Sequence, residues 1–492
     1  MVHSTVISQF DHVAASFPRR TAIYWGTDRI RYDALERNIS TFAANLQHAG
    51  AVGPGGRMGI LLRNCPEFLY ALYAGLKSGA TVVPVNTFLK PPEIQHIIND
   101  CGLRHLITDD SFMETTSRLE GIQCLSPAQL AGPPASAPVW PTLAPTDLAL
   151  IIYTSGTTGK AKGATLTHAN IASNVQSCIE ALQETQNDRL TLLLPMFHSF
   201  MLTVCIFTPL SMGAGIVLIK SVQPFKLAMR EIIRNGATIL VGIPQLFQAM
   251  AQAKVPFWLH WVLKLRLAIS GAAPLPRETI DVFERKFRFP LLEGYGLSEA
   301  SPVVSFNPIR GVRKAGSVGL PLPEIEVQIF DDAGHALGPE QVGEIVVRGP
   351  NIMQGYYNQP DETEATLRNG WLHTGDMGKK DDDGYIYIVD RRKEMLLVRG
   401  MNVYPREIEE VLYTFPGVRE AAVIARPDEK RGEAPVAFVS PADGAELHAP
   451  VLMRFCRERL ADYKIPRKIH IVEALPRTAT GKIAKVELRK MV

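Results

Sequence analysis

The stretch Tyr153-Thr154-Ser155-Gly156-Thr157-Thr158-Gly159-Lys160-Ala161-Lys162-Gly163 strings glycines, hydroxyls and two lysines together, a composition suited to holding a polyphosphate. Glycines leave backbone N–H groups free to approach anionic oxygens, the hydroxyls of Thr154, Ser155, Thr157 and Thr158 can donate to them, and Lys160 and Lys162 add charge. The apolar run Leu148 to Tyr153 reads as a buried strand, while Ile171, Val175, Cys178, Ile179 and Leu182 recur afterwards at helical spacing. The loop is therefore expected to join a strand to a helix. A surface turn seldom concentrates these residue types directly behind an apolar strand. A Walker loop is disfavoured, because it spaces its glycines more widely and follows its lysine with Ser or Thr, whereas Ala161 follows Lys160 here.

Further along the chain stand Ser270-Gly271-Ala272-Ala273-Pro274, Glu293-Gly294-Tyr295-Gly296-Leu297-Ser298-Glu299, His373-Thr374-Gly375-Asp376, and Pro476-Arg477-Thr478-Ala479-Thr480-Gly481-Lys482. Small residues let backbone approach a flat ring, Tyr295 offers an aromatic face, Glu299 is a hard oxygen ligand, and the Asp376 carboxylate can accept hydrogen bonds from two hydroxyls. Taken singly, each could be a structural turn. With the phosphate loop and in this order, they resemble the adenylate-forming (ANL) superfamily, which includes acyl-CoA synthetases, luciferases and the adenylation domains of peptide synthetases. The resemblance is closest to fatty acyl-CoA synthetases and AMP-dependent acid:CoA ligases, and runs from Ile30-Arg31-Tyr32-Asp33-Ala34-Leu35-Glu36 to Lys482.

The resemblance implies roles. Thr154 to Lys160 would cradle the phosphates of ATP; Gly271, Ala272 and Ala273 would wall the adenine; Glu293 to Ser298 would complete that pocket, with Glu299 holding Mg²⁺. Asp376 would take the ribose hydroxyls, with Arg391 fixing the same end of the nucleotide. Lys482 would bridge the substrate carboxylate and the α-phosphate, so Lys482, Thr154, Glu299 and His198 are the catalytic candidates. Lys393, within Asp390-Arg391-Arg392-Lys393-Glu394-Met395, matches the hinge about which a small domain turns, and Gly400 leaves room for the pantetheine of coenzyme A. A carboxylate would attack ATP to give an acyl-adenylate, and a thiol would then enter after the small domain rotates. An acyl carrier protein could present the same pantetheine thiol, and a non-catalytic nucleotide-binding homologue is a further alternative. Retention of Lys482 speaks against the latter, because binding alone does not require it.

The elements that must position these residues are legible as a mixed α/β pattern. Short apolar runs at Leu190 to Leu194, Thr238 to Gly242, Arg266 to Ser270 and Pro290 to Glu293 alternate with helix-like segments such as Phe225 to Arg234 and Arg277 to Lys286. From Ile325 the pattern turns to strands, Glu326 to Phe330, Gly343 to Arg348 and Gly384 to Asp390, a small β-rich unit closing the body. Pro405 opens a helix through Tyr413, followed by strands near Val418 to Ile424 and Pro435 to Val439 and a helix from Val451 to Leu460. The expected division is 1–390 as an adenylation body of helix-covered sheets, 391–395 as hinge, and 396–492 as a mobile α+β domain. Pro127 to Pro145 reads as an exposed connection.

A net charge of +3 over 492 residues gives no reason to invoke nucleic acid. The six cysteines form no metal-ligand pair or disulfide framework, which suits a reducing cytosol, and the first residues lack a signal-peptide pattern. Met201 to Ile219 carries no charge, but Pro209, Gly213 and Gly215 interrupt it, so it is read as a buried helix and strand; peripheral membrane contact stays open.

The acid is expected around Pro195-Met196-Phe197-His198-Ser199-Phe200-Met201, Val241-Gly242-Ile243-Pro244 and Leu297. The family's amino-acid activators carry an aspartate near His198, and none is present, so His198 is assigned to the carboxylate end. Phe200, Met201, Val204, Phe247 and Met250 could wall an acyl chain. Met201 stands where many similar fatty acyl-CoA synthetases have glycine, and could shorten the tunnel. A medium- or long-chain fatty acid is favoured over an aryl acid.

Overall fold

The computed structural model describes residues 5–134, 136–155, 161–222, 224–253, 259–271, 273, 275–398, 401–428, 432–477 and 483–492. They divide into two compact units, Met1–Glu326 with Val347–Leu372, and Val327–Val346 with His373–Val492.

Unit one carries two sheets. In the nine-stranded sheet the strands Thr21–Trp25, Gly215–Leu218, Arg189–Leu192, Ile239–Gly242, Leu267–Ser270 and Leu291–Gly296 run parallel side by side. Their centres, such as Ile216, Leu240 and Ile269, are fully buried, as expected of strands covered on both faces. Leu291–Gly296 then pairs antiparallel with Val303–Phe306. The parallel strands end on Gly242, Ser270-Gly271 and Glu293 to Gly296, so the motif residues gather at their carboxyl ends, where such sheets open a crevice.

The seven-stranded sheet holds the phosphate-loop strand and corrects one expectation. Leu148–Ser155 is followed by a second strand, Ala161–Thr167, antiparallel to it, and only then by the helix His168–Leu182. The loop thus closes a hairpin rather than leading into a helix. The pattern Ala-Lys-Gly-Ala-Thr-Leu-Thr gives little apolar alternation, and the close approach of the chain at Gly163 needs a glycine: a Cβ there would stand 2.6 Å from Ile151 Cγ2. The uncharged run does form a buried helix, π-helical over Met201–Phe207 and continuing through Thr208–Met212, before the strand Gly215–Leu218. Among the described residues no helix is long and apolar enough to cross a membrane.

Unit two holds strand residues 327–330, 343–346, 373–380 and Ile386–Arg391 of one sheet, and a second sheet built on the long hairpin Val418–Asp428 with Gly432–Pro441. The helix Pro405–Tyr413 begins under the buried Asp390, whose Oδ2 accepts the Arg406 N–H at 2.9 Å. Such a carboxylate satisfies an otherwise orphaned helix N–H.

One buried acid makes stability pH-dependent. Glu184, just past the helix His168–Leu182, has no hydrogen-bond partner on either carboxyl oxygen among the described residues. Burial, reinforced by Asp188 and opposed by Arg266, pushes its pKa from 4.5 up to about 8. A carboxyl raised in this way stabilises the fold fully below its ordinary range, and that contribution is lost as pH rises through the folded value. Glu184→Gln is therefore expected to raise the thermal midpoint more at about pH 9 than at about pH 5; an equal shift at both would remove the assignment.

Candidate active site

Two other segments of unit one, the end of the phosphate-loop strand and residues 353–356, meet the turn that carries Glu299. Its carboxylate Oε1 accepts the Tyr356 hydroxyl at 2.9 Å and lies 3.4 Å from Thr154 Oγ1 at the end of the phosphate-loop strand. Glu299 lies on the 3₁₀ turn Ser298–Ala300, and its backbone carbonyl accepts the Met353 N–H at 2.9 Å. Burial, reinforced by Glu299 itself, pushes the Tyr356 phenol far above its ordinary value, so Tyr356 stays a neutral donor. No lysine or arginine pairs with Glu299 among the described residues. A carboxylate held only by neutral hydroxyls keeps its charge for a cation, and a single carboxylate is what Mg²⁺ needs when phosphates and waters complete its shell.

The glycines beside Tyr295 are demanded by close backbone approach. A Cβ at Gly294 would sit 2.3 Å from the Phe306 ring, and one at Gly296 would sit 2.3 Å from the Pro302 carbonyl oxygen. Tyr295 is thereby pinned in a tight antiparallel ladder at the crevice. Glu293 is buried, and its Oε1 accepts the N–H of Leu275, the residue after the Ser270 to Pro274 motif, at 3.0 Å. Of that motif Ser270, Gly271 and Ala273 are described, and Ala272 and Pro274 lie outside the described residues.

The His198 turn joins the same place through two contacts. Ser199 Oγ lies 3.1 Å from Ser298 Oγ, and the Phe200 ring lies so close to Gly271 that a Cβ there would be 2.9 Å from Phe200 Cζ. His198 is half-buried, and its Nδ1 accepts the Phe200 N–H at 3.3 Å, which fixes the ring. Met201 and Val204 are fully buried in the helix that follows. Phe247 and Met250 are not part of this wall: they belong to a core with Phe283, Phe287 and Phe289, the Phe247 and Phe283 rings meeting edge-on at 5.5 Å.

Lys162 also departs from expectation. It is buried, pairs with Glu362 and lies 5.4 Å from the centre of the Tyr356 ring, so it serves the Tyr356 segment and not a phosphate. Ser155 is described only in its backbone, and Gly156, Thr157, Thr158, Gly159 and Lys160 lie outside the described residues.

In unit two, Asp376 is buried and its Oδ1 lies 3.0 Å from Arg391 Nε, the two residues facing each other across adjacent strands. Its N–H donates to Thr374 Oγ1, while Thr374 donates to the Ile345 carbonyl at 2.7 Å. Glu344 holds the rest of the motif, accepting the Gly375 N–H at 3.0 Å and lying 2.9 Å from His373 Nδ1. Gly375 has φ +70°, a left-handed conformation that favours glycine. The side chain of Lys393, together with Gly400 and Lys482, lies outside the described residues.

Tyr356, Glu362 and Glu344 carry no signal in the sequence. None has a neighbour of telling type in the chain. Tyr356 reaches Glu299 because Gly355–Tyr356 pairs with the hairpin strand Ala161–Thr167, a long-range pairing without a local signal.

Comparison with known proteins bears on this geometry. The sequence signature of AMP-binding enzymes matches residues 10–357, and that of the AMP-binding enzyme C-terminal domain matches 407–482. A feruloyl-CoA synthase from an Amycolatopsis species is 36% identical over 480 residues, covering 96% of each chain. A long-chain-fatty-acid–CoA ligase from Bacillus subtilis is 33% identical over 531 residues, covering 99% of this chain and 94% of the other. The structure of o-succinylbenzoate CoA synthetase from Bacillus subtilis, in complex with ATP and magnesium, superposes with a TM-score of 0.89 at 30% identity, covering 98% of this chain and 99% of that one.

Proposed function

The chain belongs to the AMP-binding enzyme family and is an ATP-dependent, AMP-forming acid:CoA ligase that uses Mg²⁺ and passes through an acyl-adenylate, and from that premise we propose that its acid is a medium- or long-chain fatty acid. The observation that carries this choice is the wall beside Gly271: the Phe200 ring covers it, Met201 and Val204 follow, and the run from Pro195 to Val204 holds no charged side chain other than a potential imidazolium at His198. Such a wall favours an apolar acyl group and offers no anion to an ammonium. A second reading, an aryl acid of the hydroxycinnamate kind, is favoured by the 36% identity to a feruloyl-CoA synthase.

In the proposed mechanism His198 meets the carboxylate of the acid and directs its oxygen to the α-phosphorus of ATP. Thr154 to Lys160 line the path of the departing pyrophosphate, and Gly271 to Ala273 with Glu293 to Ser298 hold the adenine. Mg²⁺ when bound neutralises phosphate charge, and Glu299 is the residue that would hold it. Asp376, already oriented by Arg391, accepts the ribose hydroxyls. Lys482 stabilises charge as the acyl–phosphate bond forms. The small domain, which we divide from the body at the hinge 391–395, then turns about Lys393, the thiol of CoA passes Gly400, attacks the acyl carbon, and AMP leaves with the bonding electrons. A cytosolic location suits the six cysteines, all free thiols.

Asp376→Ala is expected to weaken ATP binding about tenfold, the usual loss of hydrogen bonds to a charged group, with little change in the thermal midpoint. Unchanged affinity in a calorimetric titration would remove the ribose assignment. The acid is tested by kcat/KM over straight-chain acids and hydroxycinnamates: preference for the straight chains supports the proposal, and preference for the aryl acids reverses it. Met201→Gly is expected to favour longer acids relative to shorter ones, because each newly buried methylene contributes about 0.8 kcal/mol. An unchanged length profile with a lowered midpoint would return Met201 to the core.

A further inference from the structure

We propose that the face of unit one formed by the helix Phe225–Arg234 and the turn Leu259–Val262 docks on a bilayer surface bearing anionic headgroups, with Trp261 entering the interface. In sequence, Trp261 closes an aromatic run, Phe257-Trp258-Leu259-His260-Trp261, set between Lys254 and Lys264. Leu259 and Leu263 pack onto the core that contains Ile232, Phe247 and Phe283, so the turn is anchored. Trp261 and Val262 are left outside, 81% and 40% exposed, and Leu227 on the helix is 48% exposed. An anchored turn that holds a large ring in water presents apolar area that the core does not use.

The charge around these residues selects the occupant. Ala228 and Ile232 turn the helix's apolar side inward, while Lys226, Arg230 and Arg234 recur every fourth residue as one exposed stripe, with Glu231 the only acid of the helix. Lys264 stands at the end of this stripe, its Cδ 3.4 Å from where a Cβ on Gly236 would lie. Beside it Arg189 and Arg29 each donate to Asn235 at 2.6 Å, a neutral acceptor that leaves their charge in place. Among the described residues none of these cations is paired with a carboxylate. A tryptophan and short aliphatics ringed by lysine and arginine match the level of lipid headgroups, where the ring sits in the interface and the cations meet phosphate. A second copy of this chain fits worse, because a symmetric contact would set the same cations against themselves.

The test uses the full chain and phosphatidylcholine vesicles with or without phosphatidylglycerol. Sedimentation with the phosphatidylglycerol vesicles is expected, weakened by added salt and accompanied by a blue shift of tryptophan emission. Trp261→Ser and the double variant Arg230→Glu, Lys264→Glu are each expected to lower vesicle affinity about tenfold or more, while acyl-adenylate formation from a short soluble acid stays at the parental rate and reports an intact fold. The charge-reversed variant, confined to exposed side chains, keeps the test decisive if the serine variant is unstable. Equal sedimentation of parent and both variants, or no preference for phosphatidylglycerol, would overturn the proposal. Self-association without vesicles that is lost on Trp261→Ser would also overturn it, assigning the face to a second copy. Vesicle binding is read without turnover, so it is independent of which acid is activated.

Discussion

Lys482→Ala is expected to lose about 100-fold or more of the rate of acyl-adenylate formation, the scale of removing one preorganised electrostatic partner, while supplied acyl-AMP is converted to thioester at close to the parental rate. The split follows from a lysine that acts in one half-reaction and is withdrawn in the other. The substitution should leave the small domain intact, because the base of its loop is tied independently. Arg477 and Ile483 form an antiparallel bridge, the Ala484 N–H donates to the Pro476 carbonyl at 2.8 Å, and Lys485 pairs with Glu409 at 2.8 Å. Equal losses in both half-reactions, measured by pyrophosphate release and by thioester formation from synthetic acyl-AMP, would contradict the two-conformation assignment.

Glu299→Gln is expected to cost about 100-fold in turnover and to raise the Mg²⁺ concentration needed for half-maximal rate. The amide keeps the oxygen that Tyr356 and Thr154 address, so the turn should hold and only the charge is lost. Tyr356→Phe gives the complementary outcome: the carboxylate keeps its charge but loses its shorter hydrogen bond, so a smaller loss is expected. If Glu299→Gln retains parental turnover and Mg²⁺ dependence, Glu299 is not the metal residue.

The parts of the site that were legible in the sequence are those in which the chemistry lies in neighbouring residues. Gly294, Tyr295, Gly296 and Glu299 could be read together because the glycines are required by a ladder that follows immediately, through Pro302 and Phe306. The helices Phe225–Arg234 and Pro405–Tyr413 and the strands Glu326–Phe330 and Gly343–Arg348 fall where periodicity and proline placed them. Lys162 was misread because its partner Glu362 is distant in sequence and its charge is spent on burial rather than phosphate. The hairpin after Ser155 is not legible because Ala161–Thr167 holds small and polar residues with a single leucine, and its strand character comes from pairing on both sides, with Leu148–Ser155 and Gly355–Tyr356. Glu344 was invisible for a related reason: it serves the His373 to Asp376 motif from a neighbouring strand.

The most direct test of the account is a single-turnover reaction of the protein with ATP, Mg²⁺ and a straight-chain fatty acid, first without CoA and then with it, followed by mass detection. The account predicts acyl-AMP and pyrophosphate in amounts matching the enzyme before CoA is added, and acyl-CoA with AMP afterwards. Formation of ADP with an acyl phosphate, or of acyl-CoA with no acyl-AMP preceding it, would contradict it.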